Sequence, residues 1–273
     1  MSTFAGHLHL RAAARDHGRT VLATQSFRAP FHLSKPYWDA DARVLLTQVV
    51  NPTAGILAGD RLESEIAVEA NAALLVTTPS ASRVFRMHAA GAECVQHFSV
   101  AKDGWLEVIP EPLVPHRGSR YRQTTTVEAA EGGTLFFVDQ LTPGRVAHGE
   151  TWSWDHLCLE LSVRLGGELI LRERFDQRGE ELRALAALCG SGPTACFANA
   201  ILVASPPSSD TWRGELAALH GEGLWVGLST LRLGSWSLKL IAADAVRLRR
   251  GLRDARAILA RYFPRLSCDP RKL

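Results

Sequence analysis

Three carboxylates fall where strand alternation points inward: Asp60, Asp139 and Glu173. From Leu157 to Leu165, leucines and valine alternate with Cys158, Glu160, Ser162 and Arg164, the pattern of a half-buried strand. Gly166-Gly167 then reads as a two-residue hairpin turn. The returning strand carries Leu169, Leu171, Glu173 and Phe175 on one phase, so Glu173 lands among apolar residues. Leu135, Phe137, Asp139 and Leu141 repeat the arrangement. Extending the inward phase of Leu62, Ile66 and Val68 backwards places Asp60 inside as well. A buried, unpaired carboxylate is costly or stays protonated. A chain that repeats this feature holds either internal ion pairs or a wet interior path. Arg145 is the neighbour placed to pair with Asp139, whereas Arg172 and Arg174 face away from Glu173. Two such acids, Asp139 and Glu173, could also serve a hydrolase or lyase.

Other reactive residues are less organised. Cys94 and His97 are three apart and take opposite faces of a strand. His7 and His9 share a face, within an N-terminal stretch of about 25 residues expected to be mobile. Thr77-Thr78-Pro79-Ser80 ends a strand in a polar turn, with Arg83, Arg86 and His88 nearby. The spacing of Ser80, His88 and Asp60 does not support a hydrolytic triad. Pro110-Glu111-Pro112 makes a stiff, exposed loop. Gly190-Ser191-Gly192 reads as a turn and not as a nucleophile elbow. The P-loop, dinucleotide-binding, His-Glu-x-x-His and paired Cys-x-x-Cys patterns are all absent from the sequence.

The elements that must position these groups are mostly strands. Arg43–Val50, Leu62–Val68, Ala73–Thr78, Glu93–Val100, Trp105–Ile109, Tyr121–Val127 and Thr134–Leu141 follow at even intervals, separated by Gly, Pro and Asn. That rhythm predicts a large, mainly β architecture, and the missing crossover helices argue against βαβ winding. Helices are expected late: over Glu180–Cys189, over Asp210–His220 after Pro206-Pro207-Ser208-Ser209, and over Ala245–Phe263. The last has Asp244 as its N-cap, Leu248, Leu252, Ala255 and Leu259 on one face and Pro264 as its stop. Its other face, with Arg247, Arg249, Arg250, Arg253, Arg256 and Arg261, reads as solvated or as a basic docking face.

The chain has 273 residues, a formal net charge of +3 and 46% hydrophobic residues, which suits a soluble protein folded as one domain. Its small net charge argues against a nucleic-acid surface. Five scattered cysteines, no apolar leader and no transmembrane-length run lead us to expect a reduced, cytoplasmic protein without membrane insertion.

Several phrases occur together in a telling order. They are Asn51-Pro52-Thr53-Ala54-Gly55-Ile56-Leu57-Ala58-Gly59-Asp60, then Thr77-Thr78-Pro79-Ser80 through Val84-Phe85-Arg86, then Ile109-Pro110-Glu111-Pro112-Leu113-Val114-Pro115 with Gly118-Ser119-Arg120. Asp139, Gly144-Arg145, Gly149-Glu150 and Arg172-Glu173-Arg174 complete the series. In order and spacing it resembles the urease accessory protein UreD family, called UreH in some organisms, over about Pro36 to Phe263. The resemblance implies a non-enzymatic scaffold of stacked, helix-like β-sheets with a few helices. It implies urease apoprotein, UreF and, through UreF, the GTPase UreG as partners, with a dimeric accessory complex compatible with it. It also implies an internal polar tunnel for Ni²⁺, with Asp60, Thr78, Ser80, Asp139 and Glu173 at the positions of the lining, and no tightly bound cofactor. Isolated carboxylates, hydroxyls and waters hold Ni²⁺ loosely, as transit requires.

Overall fold

The computed structural model describes residues 5–188, 192–205 and 209–271. The chain starts as a hairpin, β1 (Ala5–Ala14) and β2 (Thr20–Phe27). It then winds back and forth between two facing sheets. From β3 (Val44–Val50) it crosses to β4 (Arg61–Val68), returns as β5 (Ala73–Thr77), and continues through β6 (Ala92–Val100), β7 (Trp105–Ile109), β8 (Arg120–Ala129), β9 (Thr134–Leu141) and β10 (His156–Leu165). The even members join β1 in one parallel array and the odd members form another. Parallel neighbours need a long crossover. Here a strand of the opposite sheet supplies it, so parallel pairing arises without the helices a βαβ unit would demand.

The hairpin β10–β11 (Glu168–Gln177) closes one edge through Gly166 and Gly167, whose φ of +58° and +84° suit glycine. The first sheet then runs β11-β10-β8-β6-β4-β1-β2. The second is extended by β12 (Cys196–Val203), β13 (Leu224–Thr230) and β14 (Ser235–Ala242), in the order β13-β14-β12-β9-β7-β5-β3. Helix α1 (Gly179–Leu188) packs its Leu182 and Ala186 at one end of the inter-sheet space. Helices α2 (Thr211–Ala217) and α3 (Ala245–Ala260) form a third layer behind the second sheet. As expected, Asp244 caps α3, its Oδ1 accepting from the Arg247 amide at 2.8 Å, and Leu248, Leu252, Ala255 and Leu259 are buried.

Several sequence expectations are refined. The segment expected to be mobile is, from Ala5 onward, paired on both sides: β1 lies between β2 and β4. The phase of β11 slips at a bulge near Ile170, because Val163 faces Leu171 while Arg164 faces Leu169. Leu169 is therefore exposed and Ile170 buried, while Leu171, Glu173 and Phe175 keep the inward phase. The arginine face of α3 is largely ion-paired. Arg256, its side chain only 11% exposed, pairs with the buried Glu107 at 2.7 Å, Arg249 meets Glu111 and Arg261 meets Glu215. The expected end of α1 at Cys189, the Gly190-Ser191 turn and the loop at Pro206–Ser208 lie outside the described residues. Cys94, Cys158, Cys196 and Cys268 are free thiols.

Candidate functional site

Two apolar clusters fill the space between the sheets. One gathers Leu8, Ile66, Phe98, Val127, Leu161, Phe137 and Ile201; the other gathers Leu62, Tyr121, Leu141, Trp152, Trp154 and Leu157. Between them, at one height, most inward positions turn polar, Leu161 being the exception. In the first sheet Ser64 pairs in register with Gln96, Gln96 with Thr125, Thr125 with Leu161, and Leu161 with Glu173. In the second sheet Asp139 pairs with Asn199 and Asn199 with Lys239. The result is a polar belt through the inter-sheet space, and a cavity of about 190 Å³ opens along it.

The cavity wall includes Ser64, Gln96, Cys94, Tyr121, Gln123 and Asp139. Its rim includes Thr78, Ser80, Arg83 and Glu111 from the loops at the ends of β5 and β7. A chain of hydrogen bonds fixes the wall. Tyr121 Oη donates to Gln123 Oε1 at 3.1 Å, Gln123 Nε2 to Thr125 Oγ1 at 3.4 Å, and Thr125 Oγ1 to Gln96 Oε1 at 3.0 Å. Asp139 sits deep in the molecule, and the surface it keeps open faces this cavity. Burial pushes its carboxyl up to about 7; a hydrogen bond from Gln123 pulls it down and the nearby Glu173 charge pushes it up. Burial likewise lifts the Cys94 thiol to about 11, eased by Tyr121, so it offers no thiolate near neutral pH.

Thr78, Ser80 and Asp139 thus share one cavity, while Asp60 and Glu173 lie outside its wall. Asp60 is buried just before β4, where its Oδ2 accepts from the Leu57 amide at 2.8 Å and shapes the preceding loop. Glu173 reaches across from the edge of the first sheet. Asn199 Nδ2 donates to its Oε2 at 2.7 Å and Lys239 Nζ to its Oε1 at 2.5 Å. Both oxygens are engaged, a poor arrangement for an acid–base partner to Asp139. Arg145, the residue placed by sequence to pair with Asp139, instead forms a two-pronged pair with Glu150 at 2.9 and 2.7 Å. Glu111 is the residue that sequence reading missed. Its loop is not merely exposed: the carboxylate is held by Arg249 at 3.0 Å and Arg271 at 2.9 Å, and its amide donates to Thr78 Oγ1. The polar amides Gln96, Gln123 and Asn199 were also missed, although each interrupts an apolar phase. Among the described residues, no three His, Cys, Asp or Glu side chains converge as a ready metal cage.

The profile of the UreD urease accessory proteins matches residues 5–272. The chain belongs to the UreD family. The urease accessory protein UreD of Opitutus terrae is 66% identical over 270 residues, 99% of either chain. That of Yersinia enterocolitica is 35% identical over 197 residues, covering 67% of this chain and 60% of the relative. The mainly β architecture with mostly C-terminal helices is the one expected from the sequence. UreD membership places the polar belt in a protein class named for assisting urease.

Proposed function

We propose that this UreD-family chain acts in urease maturation as a non-catalytic scaffold, passing Ni²⁺ along the polar belt toward the urease apoprotein in company with UreF and UreG. The observation that carries this reading is Asp139 facing a hydrated-size cavity between two apolar clusters, with hydroxyl and carboxylate groups at its rim. The ion is the cargo. At the rim, the hydroxyls of Thr78 and Ser80 offer oxygen donors that replace part of its water shell. Inside, Asp139 exchanges its proton for the cation, while amide oxygens and hydroxyls complete a loose shell. Oxygen donors of this kind bind Ni²⁺ far less tightly than an imidazole or thiolate cage, so the ion can move on.

The test uses cells that carry apourease and the remaining accessory proteins but lack this chain. Replacing Asp60, Asp139 and Glu173 together with Ala should lower the nickel content of purified urease severalfold at limiting nickel. Co-purification with UreF and UreG should persist. Urease loaded equally by the variant and the unaltered chain would overturn the transit reading.

A further inference from the structure

The second sheet carries a polar row that runs sideways out of the cavity. Asp139, Asn199 and Lys239 are register partners on the adjacent strands β9, β12 and β14. With strands spaced about 4.8 Å, the row leads from the cavity wall to Lys239 within about 10 Å. At its outer end the side chain of Lys239 is 57% exposed and that of Glu173 is 26% exposed. Glu173 descends from β11, the edge strand of the first sheet, onto Asn199 and Lys239. A second pair, Arg232 with Glu168, ties the same edge strand to the β13–β14 turn. Two ion pairs therefore seal the lateral seam of the molecule beside the belt. Asn199 Oδ1, in the same cluster, is buried and has no hydrogen-bond partner among the described residues.

We propose that Glu173 and Asn199 form a divalent-cation seat at the lateral end of the belt, and that Lys239 is a tethered cation that occupies it until a metal ion displaces it. The inference rests on the cation-transit reading for its biological use but not for its chemistry. The ammonium neutralises Glu173 and contributes three donors where a metal would need acceptors, so ion and lysine exclude one another. A displaced Lys239 has open solvent to move into. Glu173 Oε1 would then be freed, and Asn199 Oδ1 would gain a ligand. Lys239 thereby keeps the seat weak, which favours release over storage.

The experiment measures Ni²⁺ binding to the purified full chain by calorimetry. Lys239→Met should bind Ni²⁺ at least about threefold more tightly, in line with the worth of a partly exposed ion pair. Lys239→Arg should behave like the unaltered chain. Adding Glu173→Gln to Lys239→Met should cancel the gain, and Lys102→Met, which removes an exposed lysine elsewhere, should give none. No tightening in Lys239→Met, or equal tightening in Lys102→Met, overturns the seat. Tightening in Lys239→Met, combined with normal urease loading by the triple Asp60, Asp139 and Glu173 variant above, upholds the seat and removes the transit role.

Discussion

Asp139 combines a position deep between the sheets, open only to the cavity, with a carboxyl raised by desolvation to about 7. In the unfolded chain its carboxyl ionises near 3.8; in the fold it holds its proton up to about 7. Between these values the folded state binds more protons, so stability falls as pH rises through the window and levels off above it. The slope for one such group is about 1.4 kcal/mol per pH unit. Asp139→Asn removes the titration but keeps the shape. Its urea midpoint should match the unaltered chain near pH 4, exceed it increasingly toward pH 7, and hold a constant lead beyond. An Asn variant with no lead at pH 8 would mean that Asp139 is ionised and well compensated in the fold. On the transit reading proposed above, a cation taking the place of this proton would release it.

At the scale of elements, helix α3 is docked by chemistry as much as by its apolar face. Glu107 on β7 is fully buried, and Arg256 reaches it with two nitrogens at 2.7 and 3.0 Å while also donating to the Cys268 carbonyl. Burial raises the Glu107 carboxyl, with the Arg256 charge opposing it. Arg256→Met strands that carboxylate, which costs about 3–5 kcal/mol for a broken buried pair. Pairing it with Glu107→Leu should restore most of the loss in chemical denaturation. Failure of the double variant to recover would place the role of Arg256 in holding the tail at Cys268. Much at this scale was legible in advance. Alternation located β7, β9 and β10 closely, and the spacing of leucines with Asp244 located α3. The inward carboxylates followed from the same phases. What escaped was non-local. The partners of Glu173 come from β12 and β14, strands in a stretch read mainly for its helices. The bulge that turns Leu169 outward is a property of the β10–β11 pair and has no trace in either strand alone. Arg145 was nearest to Asp139 in sequence, yet Glu150 lies directly across from it in a short antiparallel pairing.

For the whole molecule, the solenoid winding turns a local substitution into a continuous feature. Successive coils present their inward residues at equal heights, so Ser64, Gln96 and Thr125 on neighbouring strands become a belt between two apolar clusters, with Leu161 interrupting it before Glu173. A protein selected for stability alone would fill that belt with leucine, since replacing both partners of a buried hydrogen bond by apolar groups of the same shape is nearly neutral or stabilising. We therefore expect the combined change Gln96→Leu, Gln123→Leu, Thr125→Val and Asp139→Leu to raise the melting temperature by several degrees. Thr125 belongs in the set because its hydroxyl would otherwise lose its Gln96 acceptor and stay buried unpaired. Tyr121 loses Gln123 but keeps its interaction with Cys94. The same variant should no longer load nickel into urease. A stabilised chain that still loads nickel would separate the belt from transit. A destabilised one would show that the hydrogen-bond chain from Tyr121 to Gln96 braces the two sheets, and that the cavity is a by-product of that bracing. The stability–function conflict is thus the sharpest test at this scale, because the two explanations of the belt predict opposite signs for the same four substitutions.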